Sequence, residues 1–373
     1  MPDEDKIAAY LRLAIERGVF PGCALGWVVG GEERVVALGR HAYGGGAPDV
    51  TTGSLFDCAS VTKAIPVSNL ALLMVDRGRL GLDDRLVDFV PEYRGDFRGE
   101  IRVRHLLTHT LDFDFRLSGC KELPPKELLG AILSVRMKRA PGEAFCYANA
   151  TSILLGLVAE RVGGKRLHEL AREELFGPLG MGGATFFVDG GALGRCVPTE
   201  IDPWRGRAVC GEVHDESAWT LQKIMTPGSA GLFLTIVDIM KYVRMLVGGG
   251  VIGAAGDGVS GSNCINSGIN GDGCRAAGTR LFSEEIIASM HTNQIPHISG
   301  ACTGLGWELN QEYMGSKRTP LTFGKTGFTG CAVIIDRSRN AGLALLSNYT
   351  WPARKPNRDL INEVRSAVSD LVM

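Results

Sequence analysis

With 373 residues, 40 Lys+Arg against 41 Asp+Glu and a formal charge of −1, the chain has no electrostatic basis for holding nucleic acid or an anionic membrane surface. Apolar residues at 45% and charged residues at 22% sit near globular averages and exclude a disordered or fibrous protein. The length fits two domains of about 150 residues or one large domain with insertions.

No apolar run approaches the roughly 20 residues that cross a bilayer, and Met1-Pro2-Asp3-Glu4-Asp5-Lys6 lacks the apolar core of a secretory leader. The expectation is a cytoplasmic chain without a membrane span, or a periplasmic or secreted one if a leader was removed.

From the N-terminus, Glu4 to Arg17 carries Ile7, Ala8, Leu11, Leu13, Ala14 and Ile15 at helical spacing and predicts an amphipathic helix. Two β-rich runs follow, Cys23 to Val29 and Arg34 to Leu38, with Gly30-Gly31-Glu32-Glu33 as the hairpin turn. Helical segments dominate from Ser60 to Leu246. Residues 248–280 read as a Gly-rich surface insertion, after which apolar periodicity resumes at Leu281 to Met290. A second strand pair, Ala332 to Asp336 and Gly342 to Ser347, is joined by Arg337-Ser338-Arg339-Asn340, and Asn357 to Val372 is again helical by period. Strands at both ends of the chain predict an α+β fold in which the termini share one antiparallel sheet and the middle forms a helical lobe. The expected division is a discontinuous sheet lobe of 1–58 and 281–373, a mostly helical lobe of 59–247, and the 248–280 insertion. A cleft between the lobes is where a pocket is expected.

Ten cysteines are scattered without a C-x-x-C pair, so zinc ribbons are not expected. No metal or organic cofactor is expected for the chemistry read below. They read as packed thiols, with one pair, Cys264 and Cys274, able to bridge in an oxidising setting. Glycine, 50 of 373 residues, exceeds the roughly 7% average and favours a loop-rich enzyme over a helical bundle.

The chemistry concentrates in Phe56-Asp57-Cys58-Ala59-Ser60-Val61-Thr62-Lys63. A serine opening a helix with a lysine three residues later puts a hydroxyl and an amine on one face. Backbone N–H groups at the helix start then point at an anion formed beside Ser60. Taken alone, the tetrapeptide reads more readily as a helix N-cap, and Ser118-Gly119-Cys120-Lys121 matches the same pattern ahead of two prolines. Two later patterns shift the balance. Tyr147-Ala148-Asn149 precedes the helical run Thr151 to Val162, and Lys325-Thr326-Gly327 precedes a strand. Singly, Tyr147 reads as a buried aromatic and Lys325 as a solvated strand charge. Together with Ser60, Lys63 and Asn149 they supply a nucleophile, two proton carriers, a polar orienter and a cation, which is the inventory of acyl transfer.

This ordered set, S-x-x-K, Tyr-x-Asn and Lys-Thr-Gly, resembles the serine β-lactamase and penicillin-binding protein superfamily. The tyrosine version is similar to the branch of class C β-lactamases, D-alanyl-D-alanine carboxypeptidases, D-aminopeptidases and β-lactamase-like carboxylesterases. Arg104-His105-Leu106-Leu107-Thr108-His109-Thr110 resembles an RHLLTHT signature of that branch, although Leu111-Asp112-Phe113 stands where relatives usually have Ser-Gly-Leu. Val213-His214-Asp215-Glu216-Ser217-Ala218, with Ala230-Gly231-Leu232-Phe233, is similar to a pattern of serine hydrolases and muropeptide amidases.

The resemblance implies a β-lactamase/DD-peptidase-like fold and a serine hydrolase in which Ser60 becomes acylated. Lys63 and Tyr147 would exchange its proton as a coupled pair, with the base unassigned between them. The N–H groups of Ser60 and Phe328 would bind the oxyanion. Asn149 would hold a substrate amide. Lys325, with Thr326 and Gly327, would anchor a substrate carboxylate and help keep Lys63 neutral by like-charge repulsion. The implied partner is a small-molecule or peptide substrate: a peptidoglycan-derived or D-amino-acid compound first, a carboxylesterase substrate second, with a penicillin-binding sensor as the non-enzyme alternative.

His105 and His109 have the i, i+4 spacing of a zinc motif but lack its glutamate and read as structural. His214 either lines the cleft and positions a water or pins a loop, the latter being the default. Pro66 removes a hydrogen bond to the Thr62 carbonyl, so the turns after Ser60 are expected to be kinked or 3₁₀-like.

Overall fold

The two β-rich ends of the chain pair with each other, as expected. In the computed structural model, which describes residues 2–253 and 278–373, β1 (Gly22–Val29), β2 (Glu32–Gly39), β3 (Glu308–Leu309), β4 (Thr322–Thr326), β5 (Ala332–Asp336) and β6 (Ala341–Ser347) form one antiparallel sheet in the order β2-β1-β6-β5-β4-β3. Cys264, Cys274 and most of the predicted 248–280 insertion lie outside the described residues. The first hairpin is tighter than the sequence suggests: Glu32 already pairs with Val29, leaving Gly30 and Gly31 alone in the turn. Both have positive φ, 59° and 89°, the backbone a two-residue hairpin demands.

Strand β1 is buried on both faces, and its period of two sorts its side chains between two cores. Cys23, Leu25 and Trp27 join Ile7, Leu11 and Ala14 of the N-terminal helix α1 (Glu4–Glu16) and Ile361, Val364 and Val368 of the C-terminal helix. Ala24 and Val28 face the opposite core, with Ile236, Ile239, Met240 and Val243. These last residues belong to α3 (Ile236–Val247), which the sequence reading assigned to the helical lobe and which instead packs on β1 and β6. Glycine makes this possible. A Cβ at Gly26 would lie 2.5 Å from the Met240 side chain and one at Gly342 2.8 Å from Val243.

The helical lobe is organised by α2 (Asn149–Gly163), whose buried Ile153, Leu154, Leu155 and Val158 extend the larger core. The lobe also holds short ladders that periodicity does not reveal, including Phe56–Asp57 paired with Phe233–Leu234. That ladder brings the strand before Ser60 against the segment after Ser229, beside the edge of β4. The C-terminal helix α4 (Asp359–Val372) closes the same end. No helix among the described residues is long and apolar enough to cross a membrane.

Candidate active site

Strand Phe56–Asp57 ends in a strained elbow that presents Ser60. Ala59 has φ 44°, a left-handed conformation unfavourable for any residue with a Cβ. It is held by Asp57, a buried carboxylate that accepts from Ala59 N–H at 2.7 Å and from His214 N–H at 2.7 Å. Burial pushes the Asp57 carboxyl up, and these N–H bonds pull it back part of the way. The helix then starts at Val61 but breaks at Ile65 (φ −114°, ψ 109°), just before Pro66. The expected kink is present, and the break recruits a side chain: Ser68 Oγ donates to the Lys63 carbonyl at 2.8 Å. With little more than one turn intact after Ser60, a helix dipole contributes less here than the individual N–H groups.

Lys63 is 2% exposed and spends its donors on two partners, Ser60 Oγ at 2.8 Å and the Ser229 carbonyl at 2.7 Å. Across from it, Tyr147 lies on the extended segment just before α2. Its ring has the Lys63 ammonium 5.2 Å and the Lys325 ammonium 4.6 Å from its centroid. Although 43% of the residue remains open to the cleft, the phenol interacts with Ser60. Desolvation raises the phenol, but Lys325 and then Lys63 outweigh it and hold it below its ordinary value. His109 backs the ring, with centroids 4.8 Å apart. Burial first, then the two lysines, keep its imidazole far below the usual range and therefore neutral.

Lys325, on β4, is 2% exposed and is not a free cation. Its ammonium donates to Glu308 Oε1 at 2.9 Å, from the adjacent strand β3, and Tyr313 donates to the other oxygen at 2.8 Å. Burial opposes the lysine's charge, but Glu308 and Tyr147 more than restore it, leaving it above an ordinary lysine. Thr326 lines the cleft. At Gly327 a Cβ would lie 2.4 Å from the Cys58 carbonyl, so glycine lets this loop press against the strand that carries Ser60. The N–H groups of Ser60 and Phe328 have no hydrogen-bond acceptor among the described residues.

The remaining predicted residues line the same cavity of about 750 Å³. Asn149 donates to Asp215 Oδ2 at 3.0 Å, and Asp215 also caps the helix Glu216–Leu221 through Ala218 N–H at 2.8 Å. His214 stacks on Phe328 with rings 5.8 Å apart. Its Nε2 is committed to Glu200 at 2.7 Å, and Arg354 donates to the same carboxylate oxygen at 2.8 Å. His105 and His109 part company: His105 Nδ1 accepts from Arg102 N–H at 3.1 Å, while His109 lies against Tyr147. The second S-x-x-K goes elsewhere, with the Lys121 ammonium 5.6 Å from the Trp204 ring.

Sequence reasoning missed Glu308, the Ser229 carbonyl, Asp57 and the packing of His109 on Tyr147. Glu308 follows Trp307 with no motif of its own. Only the register Gly324↔Glu308 places it beside Lys325.

Fold and site together define a protein built around a cleft-lining serine and a buried lysine at the junction of a sheet and a helical lobe. The family model for Beta-lactamase matches residues 7–366, and the chain belongs to that family, whose members are hydrolytic. A relative from Escherichia coli K12 named "Putative D-alanyl-D-alanine carboxypeptidase" is 25% identical over 348 residues, 82% of this chain and 73% of the relative. Among solved structures, a class C beta-lactamase superposes with a TM-score of 0.73 at 18% identity, covering 98% of this chain and 95% of its own. EstCE1, a hydrolase with promiscuous acyltransferase activity, gives 0.72 at 17% identity, covering 98% of both chains. These similarities match the resemblance drawn from the motifs and the α+β, β-lactamase/DD-peptidase-like fold.

Proposed function

We propose that the protein is a serine hydrolase that forms an acyl-enzyme at Ser60 and transfers the acyl group to water. The observation that carries this reading is the 2.8 Å contact between Lys63 Nζ and Ser60 Oγ, beside a phenol that two ammonium groups hold below its ordinary pKa. Ser60 Oγ attacks the substrate carbonyl as its proton passes to the Lys63–Tyr147 pair. The oxyanion that forms is held by the N–H groups of Ser60 and Phe328. The pair returns the proton to the departing amine or alcohol, then repeats the exchange with water to release the acid.

The favoured substrate is an amide of peptidoglycan origin or one containing a D-amino acid. The 25% identity to a chain named for D-alanyl-D-alanine cleavage supports it, with Asn149 at the cleft wall as the group that would bind the substrate amide. A carboxylesterase is the second reading, and one observation favours it: Glu308 neutralises Lys325, so the cation that would anchor a substrate carboxylate already has one. Incubation with fluorescent penicillin, p-nitrophenyl butyrate, nitrocefin and D-amino-acid amides separates the readings. Ester turnover without amide turnover selects the esterase, and stable penicillin labelling with no turnover selects a sensor. Covalent labelling that persists in Ser60→Ala overturns the nucleophile.

A further inference from the structure

The peptide unit between Gly327 and Phe328 carries the Gly327 carbonyl on one edge and the Phe328 N–H on the other. The N–H edge is the one assigned to the oxyanion above, and this inference rests on that reading. The carbonyl edge is gripped from behind. Arg365, on α4, donates from Nη2 to the Gly327 carbonyl at 2.7 Å and to the Cys331 carbonyl at 2.9 Å, and from Nη1 to Asn362 Oδ1 at 2.8 Å.

Arg365 is an unusual residue to find there. It is 1% exposed, its hydrogen-bond acceptors are all neutral, and among the described residues it has no ion-pair partner. Its Nε finds no acceptor. Burial draws the guanidinium down to about 10, which still leaves it charged at neutral pH. Burying a cation without a counter-ion is costly, and a methionine would fill a comparable volume at lower cost. Core packing with Val364 and Val368 on the same helix therefore does not account for an arginine.

The hydrogen bonds do. A charged donor on a carbonyl is stronger than a neutral one, and a peptide polarised at its oxygen becomes a better donor at its nitrogen. The Gly327 carbonyl also accepts from Gly330 N–H at 3.1 Å, and the preceding peptide is tied down by Gly327 N–H donating to the Cys331 carbonyl at 2.8 Å, so the plane is held from its carbonyl edge and its N–H edge is left without an acceptor among the described residues. We infer that Arg365 is a positioning residue of the oxyanion site: through the Gly327 carbonyl it orients and polarises the peptide whose Phe328 N–H binds the developing negative charge. It acts without touching substrate, so its effect falls on the transition state and spares ground-state binding.

The test uses the full chain, Arg365→Met and Arg365→Lys, with p-nitrophenyl butyrate and fluorescent penicillin as acylating probes and a boronic acid as the tetrahedral mimic. For Arg365→Met the expected result is a kcat/KM lower by about 10- to 100-fold, carried by kcat, with boronate affinity lowered in parallel. The acyl-enzyme carbonyl stretch, read by isotope-edited infrared spectroscopy, should move to higher frequency as the oxyanion site weakens. Arg365→Lys, which keeps a cationic donor, should recover part of both the rate and the frequency shift. A folded Arg365→Met with unchanged kcat, boronate affinity and carbonyl stretch overturns the inference while leaving the hydrolase reading intact. Should Arg365→Met fail to fold, Arg365→Lys decides alone: an intermediate loss with a shifted stretch supports the role, and wild-type values sink it. A wild-type chain that neither these probes nor D-amino-acid amides acylate overturns both the hydrolase reading and this inference.

Discussion

Two lysines meet at Tyr147, equally buried and differently partnered. Lys63 contacts the Ser60 hydroxyl and a backbone carbonyl; Lys325 is held by a carboxylate on the neighbouring strand. On the proposed reading, the lysine that touches the Ser60 hydroxyl is the one placed to exchange a proton with it. A lysine locked to a carboxylate keeps its charge and acts through its field. The cleft thus sets a lysine that contacts the Ser60 hydroxyl opposite a fixed charge from the sheet, and the phenol between them feels both.

The largest test removes the proposed nucleophile, the hydroxyl that one lysine touches. Ser60→Ala should lower turnover by about 10⁴-fold or more and leave no adduct in intact-protein mass spectra; a residual adduct would mean that another residue is acylated. Lys63→Met comes next, with an expected loss of about 10²- to 10⁴-fold in acylation rate in stopped-flow measurements. A loss no greater than that of Lys325→Met would erase the distinction between the two.

Lys325→Met sharpens the comparison through pH. The cations lower the Tyr147 pKa, so any rate limb that depends on its phenolate falls away on the acid side of a pKa below the ordinary tyrosine value. Removing Lys325, the larger cationic influence, should move that limb to higher pH and shift the ultraviolet difference titration of the phenol the same way. The variant should also unfold more easily, by about 2 kcal/mol, because Glu308 loses its partner; a limb that stays in place would exclude electrostatic control by Lys325. The smallest effect belongs to Glu308→Gln. Freeing Lys325 from its carboxylate should lower KM for carboxylate-bearing substrates by about 3- to 10-fold and leave neutral esters nearly unchanged. Equal changes in both would show that Glu308 does not govern substrate charge.

The residues that perform chemistry in this reading were legible because each sits in a short local pattern: Ser60 with Lys63, Tyr147 with Asn149, Lys325 with Thr326 and Gly327. The terminal strands were legible as short β-rich runs beside turn residues, and the terminal helices because α1 and α4 repeat near 3.6. What controls the charge of the site was not legible. Glu308 reaches Lys325 through strand register, Asp57 reaches His214 across the elbow, and Arg365 reaches Gly327 from the last helix, and none of these relations leaves a periodic trace. The same holds for Ile236–Val247, whose amphipathic pattern gives a helix but does not name the surface it covers. That choice was made by Gly26 and Gly342, which clear room on the sheet.

By itself, the sequence determined which groups are present for acyl transfer and which segments become helix or strand, because reactivity and backbone preference reside in neighbouring residues. Tertiary structure alone decided which lysine meets a carboxylate, which carbonyl Arg365 grips and which N–H groups beside Ser60 have no acceptor among the described residues. Those properties depend on distances of about 3 Å between segments far apart in the chain, and only the packed sheet and helices fix such distances.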